Sequence, residues 1–272
     1  MGKPVPRQRN IMSQSTYQSV VLAKRPTASI VPGETFSVKS NPMLSESDVK
    51  DDQILVEALY LSLDPAMRDV RSYVPPVQIG ETMRGAVICK VLASKSSSYS
   101  VGTYVVANIG WTELAIIGDK EPGLKAITVP ENGKITDALG ALGMTALTAY
   151  FGLLDIGKVQ TGDFVVISGA AGATGSIACQ IAKIKGAKVL GVAGSDEKVE
   201  WLKELGCDDA LNYKAADFAK QFKEKTPDLI DVFFDNVGGE VLELALSRAK
   251  AHSRFVMCGG TILDIPKLEP RA

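Results

Sequence analysis

Histidine and closely spaced cysteine are scarce in this sequence of 272 residues. The single histidine is His252, and the four cysteines (Cys89, Cys179, Cys207 and Cys258) are scattered along the chain. No C-x-x-C pair or His–Cys cluster offers the three or four ligands that a zinc ion needs, so we predict no metal site. The same scatter indicates no disulfide framework. It favours a reducing compartment, and we expect the cytoplasm.

An excess of charge of either sign and a long apolar run are also missing. Lys plus Arg total 30 against 31 for Asp plus Glu, which does not favour a nucleic-acid partner. An apolar stretch such as residues 54–63 is broken by Glu57 and Ser62 and is too short to cross a bilayer. The basic N-terminus lacks the apolar segment of a secretory signal, and a start at Met12 rather than Met1 stays open. We therefore expect no membrane span and no nucleic-acid partner.

The chain divides into two regions with different patterns of predicted secondary structure. Residues 1–135 are β-rich, with strands predicted at 17–23, 53–63, 83–93 and 104–109. Residues 136–260 alternate apolar strands (163–168, 188–193, 210–211, 229–234, 254–257) with helices (176–185, 195–206, 240–249). Such buried, apolar strands are typical of a parallel sheet covered on both faces. We predict a β-rich domain followed by a doubly wound α/β domain, with residues 261–272 as an atypical tail.

A glycine-rich turn lies between the first strand and first helix of the predicted α/β domain. Its three glycines are Gly169, Gly172 and Gly175, with Ala173 and Thr174 between the last two. Small residues there let the backbone approach a pyrophosphate, which the helix N-terminus attracts through its N–H groups and partial positive charge. The spacing is not the strict G-x-G-x-x-G fingerprint, and a purely structural role is the alternative. Its position favours dinucleotide binding.

The end of the second predicted strand bears on the choice of cofactor. An NAD enzyme usually places Asp or Glu there for the ribose 2′-hydroxyl, whereas residues 192–195 of this chain (VAGS) contain no acid. Lys198 follows one turn into the next helix, where a cation suits a 2′-phosphate. A solvated surface lysine is the alternative interpretation. The pattern predicts NADPH rather than NADH.

A set of motifs resembles the zinc-independent medium-chain dehydrogenase/reductases, specifically the prostaglandin reductase (leukotriene B4 dehydrogenase) and alkenal double-bond reductase group. The matching segments are LSLDPAMR at 61–68, MRG at 83–85, GWTE at 110–113, LGM at 142–144, LTAYFGL at 147–153, the turn at 169–175, GSDEK at 194–198 and FDNVGG at 234–239. The resemblance implies a GroES-like catalytic domain followed by a Rossmann domain, with NADPH in the cleft between them.

The resemblance also implies residue roles. Residues 172–175 would hold the pyrophosphate, and Lys198 with Tyr213 would hold the adenosine 2′-phosphate. Asn236, Cys258 and Gly259 would line the ribose and nicotinamide. Thr148 is a weaker candidate for contacting the carboxamide, and Tyr213 and Asn236 have structural alternatives as a packed aromatic and a turn former.

The substrate side departs from the family pattern. Where the family has a pocket tyrosine in its Asp-Pro-Tyr-Met-Arg segment, this chain has Ala66, which predicts a wider pocket without that hydroxyl. Tyr73 matches the family and would be the surviving aromatic wall, with Met144 as a further pocket residue.

The last twelve residues depart as well. They contain Pro266 and Pro270, which disfavour a sixth central strand, and no tyrosine follows Tyr213. We expect a Rossmann sheet lacking its last strand, from truncation or an altered reading frame. In the family the final strands help build a homodimer interface, so that dimer is expected to be impaired.

These features predict an NADPH-dependent oxidoreductase that reduces the activated C=C bond of an α,β-unsaturated carbonyl compound. A reductase of ketones or polyketide intermediates in a biosynthetic pathway stays open, as does a degenerate chain that binds nucleotide without chemistry. The partner in the first two cases is a small-molecule substrate.

Overall fold

The computed structural model describes residues 14–26, 30–68 and 75–260, without the side chains of Ala66 and Arg68. The chain folds into two compact units, Met1–Leu139 and Gly140–Ala272. Within the described ranges no helix has the length and apolar character needed to cross a membrane.

The first unit is built from antiparallel strands. A hairpin pairs β1 (Thr16–Leu22) with β2 (Phe36–Pro42). A five-stranded sheet has the order β6-β3-β4-β5-β7, with strands β3 (Gln53–Leu61), β4 (Val87–Ser94), β5 (Tyr104–Ala107), β6 (Leu114–Gly118) and β7 (Lys125–Ala126). Alternate residues of β3 and β4, such as Ile54, Val56, Cys89 and Val91, are buried together because successive side chains of a strand point to opposite faces.

The second unit contains a parallel five-stranded sheet. Its strands are β8 (Phe164–Ile167), β9 (Lys188–Ala193), β10 (Asp209–Asn212), β11 (Ile230–Asp235) and β12 (Ala249–Met257), in the order β10-β9-β8-β11-β12. The order reverses direction between β8 and β11, which is where ligands bind in sheets of this kind. The prediction of a β-rich domain followed by a doubly wound parallel sheet is confirmed.

Five α-helices accompany this sheet among the described residues: α1 (Met144–Phe151), α2 (Ala173–Ile184), α3 (Asp196–Glu204), α4 (Phe218–Lys225) and α5 (Gly239–Ser247). Helix α2 begins three residues before the predicted start, so its first turn contains the end of the glycine-rich segment. The sequence pattern did not predict α4, because most of its residues are polar and only Phe218 and Phe222 are apolar and buried. These two residues form an i, i+4 pair on one face of the helix.

Two apolar clusters cover the parallel sheet. One joins α2 and α3 to the sheet through residues such as Ala178 and Leu202, and the other joins α4 and α5 through Phe222 and Val241. Every residue of β8 is buried, as expected for the central strand of a sheet covered on both faces. This packing holds the carboxyl ends of the strands in fixed positions.

Candidate functional site

The turn after β8 is tight, and glycine is required at two of its positions for different reasons. Gly169 has a φ of +56°, a left-handed conformation that favours glycine. A Cβ at Gly175 would lie 2.3 Å from the carbonyl oxygen of Gly169 and 2.8 Å from the α-carbon of Ala170. The main-chain N–H of Ala170 also donates to the carbonyl of Val192 in β9, at 2.9 Å. The turn is thereby bound to the sheet, with the start of α2 lying against it.

The N-terminus of α2 is open to a ligand. Gly172 is its N-cap residue, and within the described part of the chain no side chain caps this end and no acidic residue lies in the first turn. The first amides of a helix have no intrahelical acceptor, so those of Ala173, Thr174 and Gly175 suit an anion. Gly172 has an ordinary φ of −78°, so its backbone conformation does not require glycine. These residues fit a pyrophosphate group.

The turn after β11 is hydrogen-bonded to the glycine-rich turn. The Ser168 hydroxyl donates to Oδ1 of Asp235 at 2.6 Å and accepts from the main-chain N–H of Asn236 at 2.9 Å. The Asn236 side-chain amide donates to the Ser168 carbonyl at 2.8 Å. Asp235, which is fully buried, also accepts from the N–H groups of Val237 and Gly238 at the start of α5. Ser168 and Asp235 were not predicted from the sequence, although each polar residue directly follows or ends an apolar strand.

Cys258 and Gly259 lie beside this turn. Their main-chain N–H groups both donate to the carbonyl oxygen of Asp235, each at 2.9 Å. A Cβ at Gly259 would lie 3.1 Å from the carbonyl oxygen of Asn236. Burial and, to a lesser extent, the negative charge of Asp235 raise the pKa of the Cys258 thiol. The thiolate form is therefore disfavoured. The structure thus brings the predicted residues Asn236, Cys258 and Gly259 together.

The turn after β9 carries a second group of predicted residues. Ser195 caps α3 by accepting from the main-chain N–H of Lys198 at 3.4 Å. The ring of Tyr213 packs on Gly194, where a Cβ would lie 2.9 Å from the ring atom Cε1. Tyr213 is 38% exposed and Lys198 is exposed, so both side chains are available to a ligand. Glycine at position 194 is what lets the tyrosine lie over this turn.

The remaining predicted residues lie on other elements of the chain. Thr148 lies on α1 and donates its hydroxyl proton to the carbonyl of Met144 at 2.8 Å. Met144, at the start of α1, is 74% exposed. Ala66 belongs to the short 3-10 helix Pro65–Arg68 of the first unit, and Tyr73 lies outside the described residues. Their predicted roles toward substrate and carboxamide stay predictions.

A metal ion would need several His, Cys, Asp or Glu side chains close together. No group of three or more such side chains that could hold an ion occurs in residues 14–26, 30–68 and 75–260.

Profiles of known protein families match both halves of the chain. A family profile described as the N-terminal domain of oxidoreductase matches residues 18–126. A second, described as zinc-binding dehydrogenase, matches residues 173–269.

Several named proteins are similar along most of the chain. A putative NADP-dependent oxidoreductase, YfmJ of Bacillus subtilis, is 42% identical over 251 residues, covering 90% of this chain and 72% of YfmJ. Bovine prostaglandin reductase 1 is 45% identical over 212 residues, covering 78% of this chain and 64% of the reductase. The NADPH-dependent curcumin reductase of Escherichia coli is 39% identical, covering 88% of this chain and 69% of the enzyme. The chain spans about two thirds of the length of these relatives.

A solved structure is similar in fold as well as in sequence. The crystal structure of CurA from Vibrio vulnificus in complex with NADPH superposes with a TM-score of 0.80 and 39% identity, covering 88% of this chain and 70% of CurA.

Proposed function

The chain belongs to the medium-chain dehydrogenase/reductases, in the group of NADP-dependent oxidoreductases that includes prostaglandin reductase 1 and curcumin reductase, and we propose that it reduces the activated C=C bond of an α,β-unsaturated carbonyl compound. NADPH, when bound, supplies the hydride, which the β-carbon of the substrate accepts. A proton from solvent or from a hydroxyl group completes the product.

The observation that supports the proposal is that the predicted nucleotide-binding residues, except Thr148, lie at or just beyond the carboxyl ends of β8, β9, β10, β11 and β12. In an open parallel sheet a dinucleotide binds beyond the carboxyl ends of the strands, at the point where the strand order reverses. The main-chain amides of residues 172–175 would hold the pyrophosphate. The fit rests on the open N-terminus of α2, whose cap residue Gly172 presents no side chain to a ligand.

The two ends of the cofactor would be held by different chemistry. Lys198 would contribute a charge to the adenosine 2′-phosphate, and Tyr213 a hydroxyl donor and an aromatic surface. Asn236, Cys258 and Gly259 would line the ribose and nicotinamide. Ser168 and Asp235 would act through Asn236, since they hold its backbone beside the glycine-rich turn.

The substrate would lie on the nicotinamide side, with Ala66, Tyr73 and Met144 as proposed pocket residues and Thr148 near the carboxamide. As the hydride arrives, negative charge develops on the carbonyl oxygen of the substrate, and a preorganised donor there lowers the barrier. We also propose a cytoplasmic location, which the four free cysteines support.

The decisive experiment follows the loss of NADPH absorbance when purified protein is mixed with an enal, an enone or the matched saturated ketone. We expect turnover with the enal and enone and none with the saturated ketone. Turnover of the ketone alone would instead favour the carbonyl reductase. Tight NADPH binding without turnover of any compound would favour the non-catalytic alternative.

The nucleotide dependence of the rate provides the control. NADH in place of NADPH should give a much lower rate at equal concentration, because only NADPH carries the 2′-phosphate. Equal rates with both nucleotides would contradict the proposed role of Lys198.

A further inference from the structure

An acidic side chain lies at the proposed 2′-phosphate site, although the end of β9 itself carries none. Asp196 is the first residue of α3, two residues before Lys198. Its Oδ1 accepts a hydrogen bond of 2.7 Å from the side-chain amide of Asn212. A carboxylate at the end of the second strand is the group with which NAD enzymes bind the ribose hydroxyls. In this chain the nearest carboxylate lies three residues beyond the end of β9, at the start of α3, and is hydrogen-bonded to the last residue of β10.

Asn212 is itself held at both ends of its side chain. Its Oδ1 accepts from the main-chain N–H of Lys214 at 3.0 Å, while its amide donates to Asp196. It is the last residue of β10 and pairs with Ala193, the last residue of β9. The amide is therefore fixed by the sheet and by the turn that carries Tyr213. Asp196 is exposed, and its side chain accepts this hydrogen bond at the protein surface.

We propose that Asn212 determines the preference for NADPH by holding the Asp196 carboxylate away from the 2′-phosphate. The inference rests on the proposed placement of that phosphate at Lys198 and Tyr213. Asparagine suits the role because its amide donates to a carboxylate without adding charge of its own. Released from Asn212, the Asp196 side chain would rotate freely, repel the phosphate and offer an acceptor to the 2′-hydroxyl of NADH.

The test measures the dissociation constants of NADPH and NADH by fluorescence titration, without substrate, so that it does not depend on the reaction. In Asn212→Ala, NADPH should bind about tenfold more weakly, the factor expected from one additional nearby like charge, while NADH binds equally or more tightly. In the double variant Asn212→Ala, Asp196→Asn, the affinity for NADPH should return to nearly that of the wild type. Asn212→Ser is the second probe, since its short side chain keeps a polar group near Lys214 but does not extend to Asp196.

A matched control uses the neighbouring acid. Glu197 lies one residue further along α3, and Glu197→Gln removes the same charge as Asp196→Asn. Combined with Asn212→Ala, it should leave the affinity for NADPH low. Equal rescue by both acid substitutions would overturn the proposal, because net charge alone would then explain the loss.

Two further outcomes separate the inference from the proposed site. Equal weakening of NADPH and NADH by Asn212→Ala, with no rescue by Asp196→Asn, would show that Asn212 only supports the turn and would overturn the inference. Lys198→Ala should weaken NADPH far more than NADH, whereas Lys203→Ala, on the same helix and paired with Glu200 at 2.9 Å, should change neither. Equal effects of Lys198→Ala on both nucleotides would overturn the site and the inference with it.

Discussion

Glycine has two different roles within the turn that follows β8. At Gly175 the requirement is steric and internal, since a Cβ would lie 2.3 Å from a carbonyl oxygen of the same turn. At Gly172 a Cβ would lie 3.2 Å from that oxygen, and the φ of −78° is available to any residue. The spacing of glycines in the sequence does not distinguish these roles, because it carries no information on the distance between backbone atoms.

We expect Gly175→Ala to destabilise the protein by about 1–3 kcal/mol, the range for overpacking a closely packed site. Gly172→Ala should cost less, about 1 kcal/mol, mainly because alanine is a poorer N-cap than glycine. Its affinity for NADPH should nevertheless fall several-fold, since the new methyl group would occupy the approach of the pyrophosphate. Urea unfolding with NADPH titration measures both quantities. Equal losses of stability in the two variants would contradict this assignment.

At the scale of elements, the Asp231 carboxylate links three strands near their amino-terminal ends, opposite the proposed site. Asp231 in β11 accepts from the main-chain N–H of Phe164 in β8 at 2.9 Å and from Lys250 in β12 at 2.8 Å. Partial burial acts to raise the pKa of Asp231. The hydrogen bonds from Lys250 and Phe164, with the charges of Lys250 and Arg254, outweigh burial and lower the pKa below its ordinary 3.8.

A lowered pKa in the folded state means that the ionised carboxylate stabilises the fold above pH 3.8 and that this contribution is lost as the pH falls below it. We expect Asp231→Asn to cost about 1–2 kcal/mol at neutral pH, a figure reduced by the partial exposure of Lys250. The difference from the wild type should shrink in acid. Urea unfolding at a series of pH values measures it.

Asp228→Asn, an exposed acid three residues before Asp231, is the control and should follow the wild type throughout. If the loss of stability in Asp231→Asn did not change with pH, the charge of the Asp231 carboxylate would contribute nothing to the connection of β8, β11 and β12.

At the scale of the whole molecule, the proposed nucleotide contacts of the glycine-rich turn, Lys198, Tyr213, Asn236 and Cys258–Gly259 all belong to the second compact unit. A ligand that binds only the native state stabilises it by mass action, by about 2.7 kcal/mol at a concentration of 100 times its dissociation constant. Saturating NADPH should therefore raise the melting temperature.

Hydrogen exchange locates this stabilisation. With saturating NADPH, we expect amide exchange to slow in residues 172–176, 194–198 and 236–239, and to stay unchanged in the hairpin formed by β1 and β2. Lys198→Ala should reduce the protection of residues 194–198 most. Protection confined to the first unit would contradict the placement of the nucleotide.

Local patterns were sufficient to predict the alternation of strands and helices, the glycine-rich turn and the cap of α3. Each depends on neighbours in the chain: a short apolar run, a set of small residues after a strand, or a serine followed by acids at a helix start. Helix α4 was not predicted, because two phenylalanines in a polar segment give only a weak helical pattern. Their burial depends on the packing of α4 against β10 and β11.

Hydrogen bonds between side chains that are distant in the sequence could not be predicted, because they depend on which strands become neighbours in the sheet. Ser168 and Asp235 are 67 residues apart and meet because β8 and β11 are neighbours in the sheet. Asn212 reaches Asp196 because β10 pairs with β9 in a register that places Asn212 beside Ala193. Strand order and register depend on how all the apolar faces are buried together, so no local motif specifies which polar side chains the strand ends bring into contact.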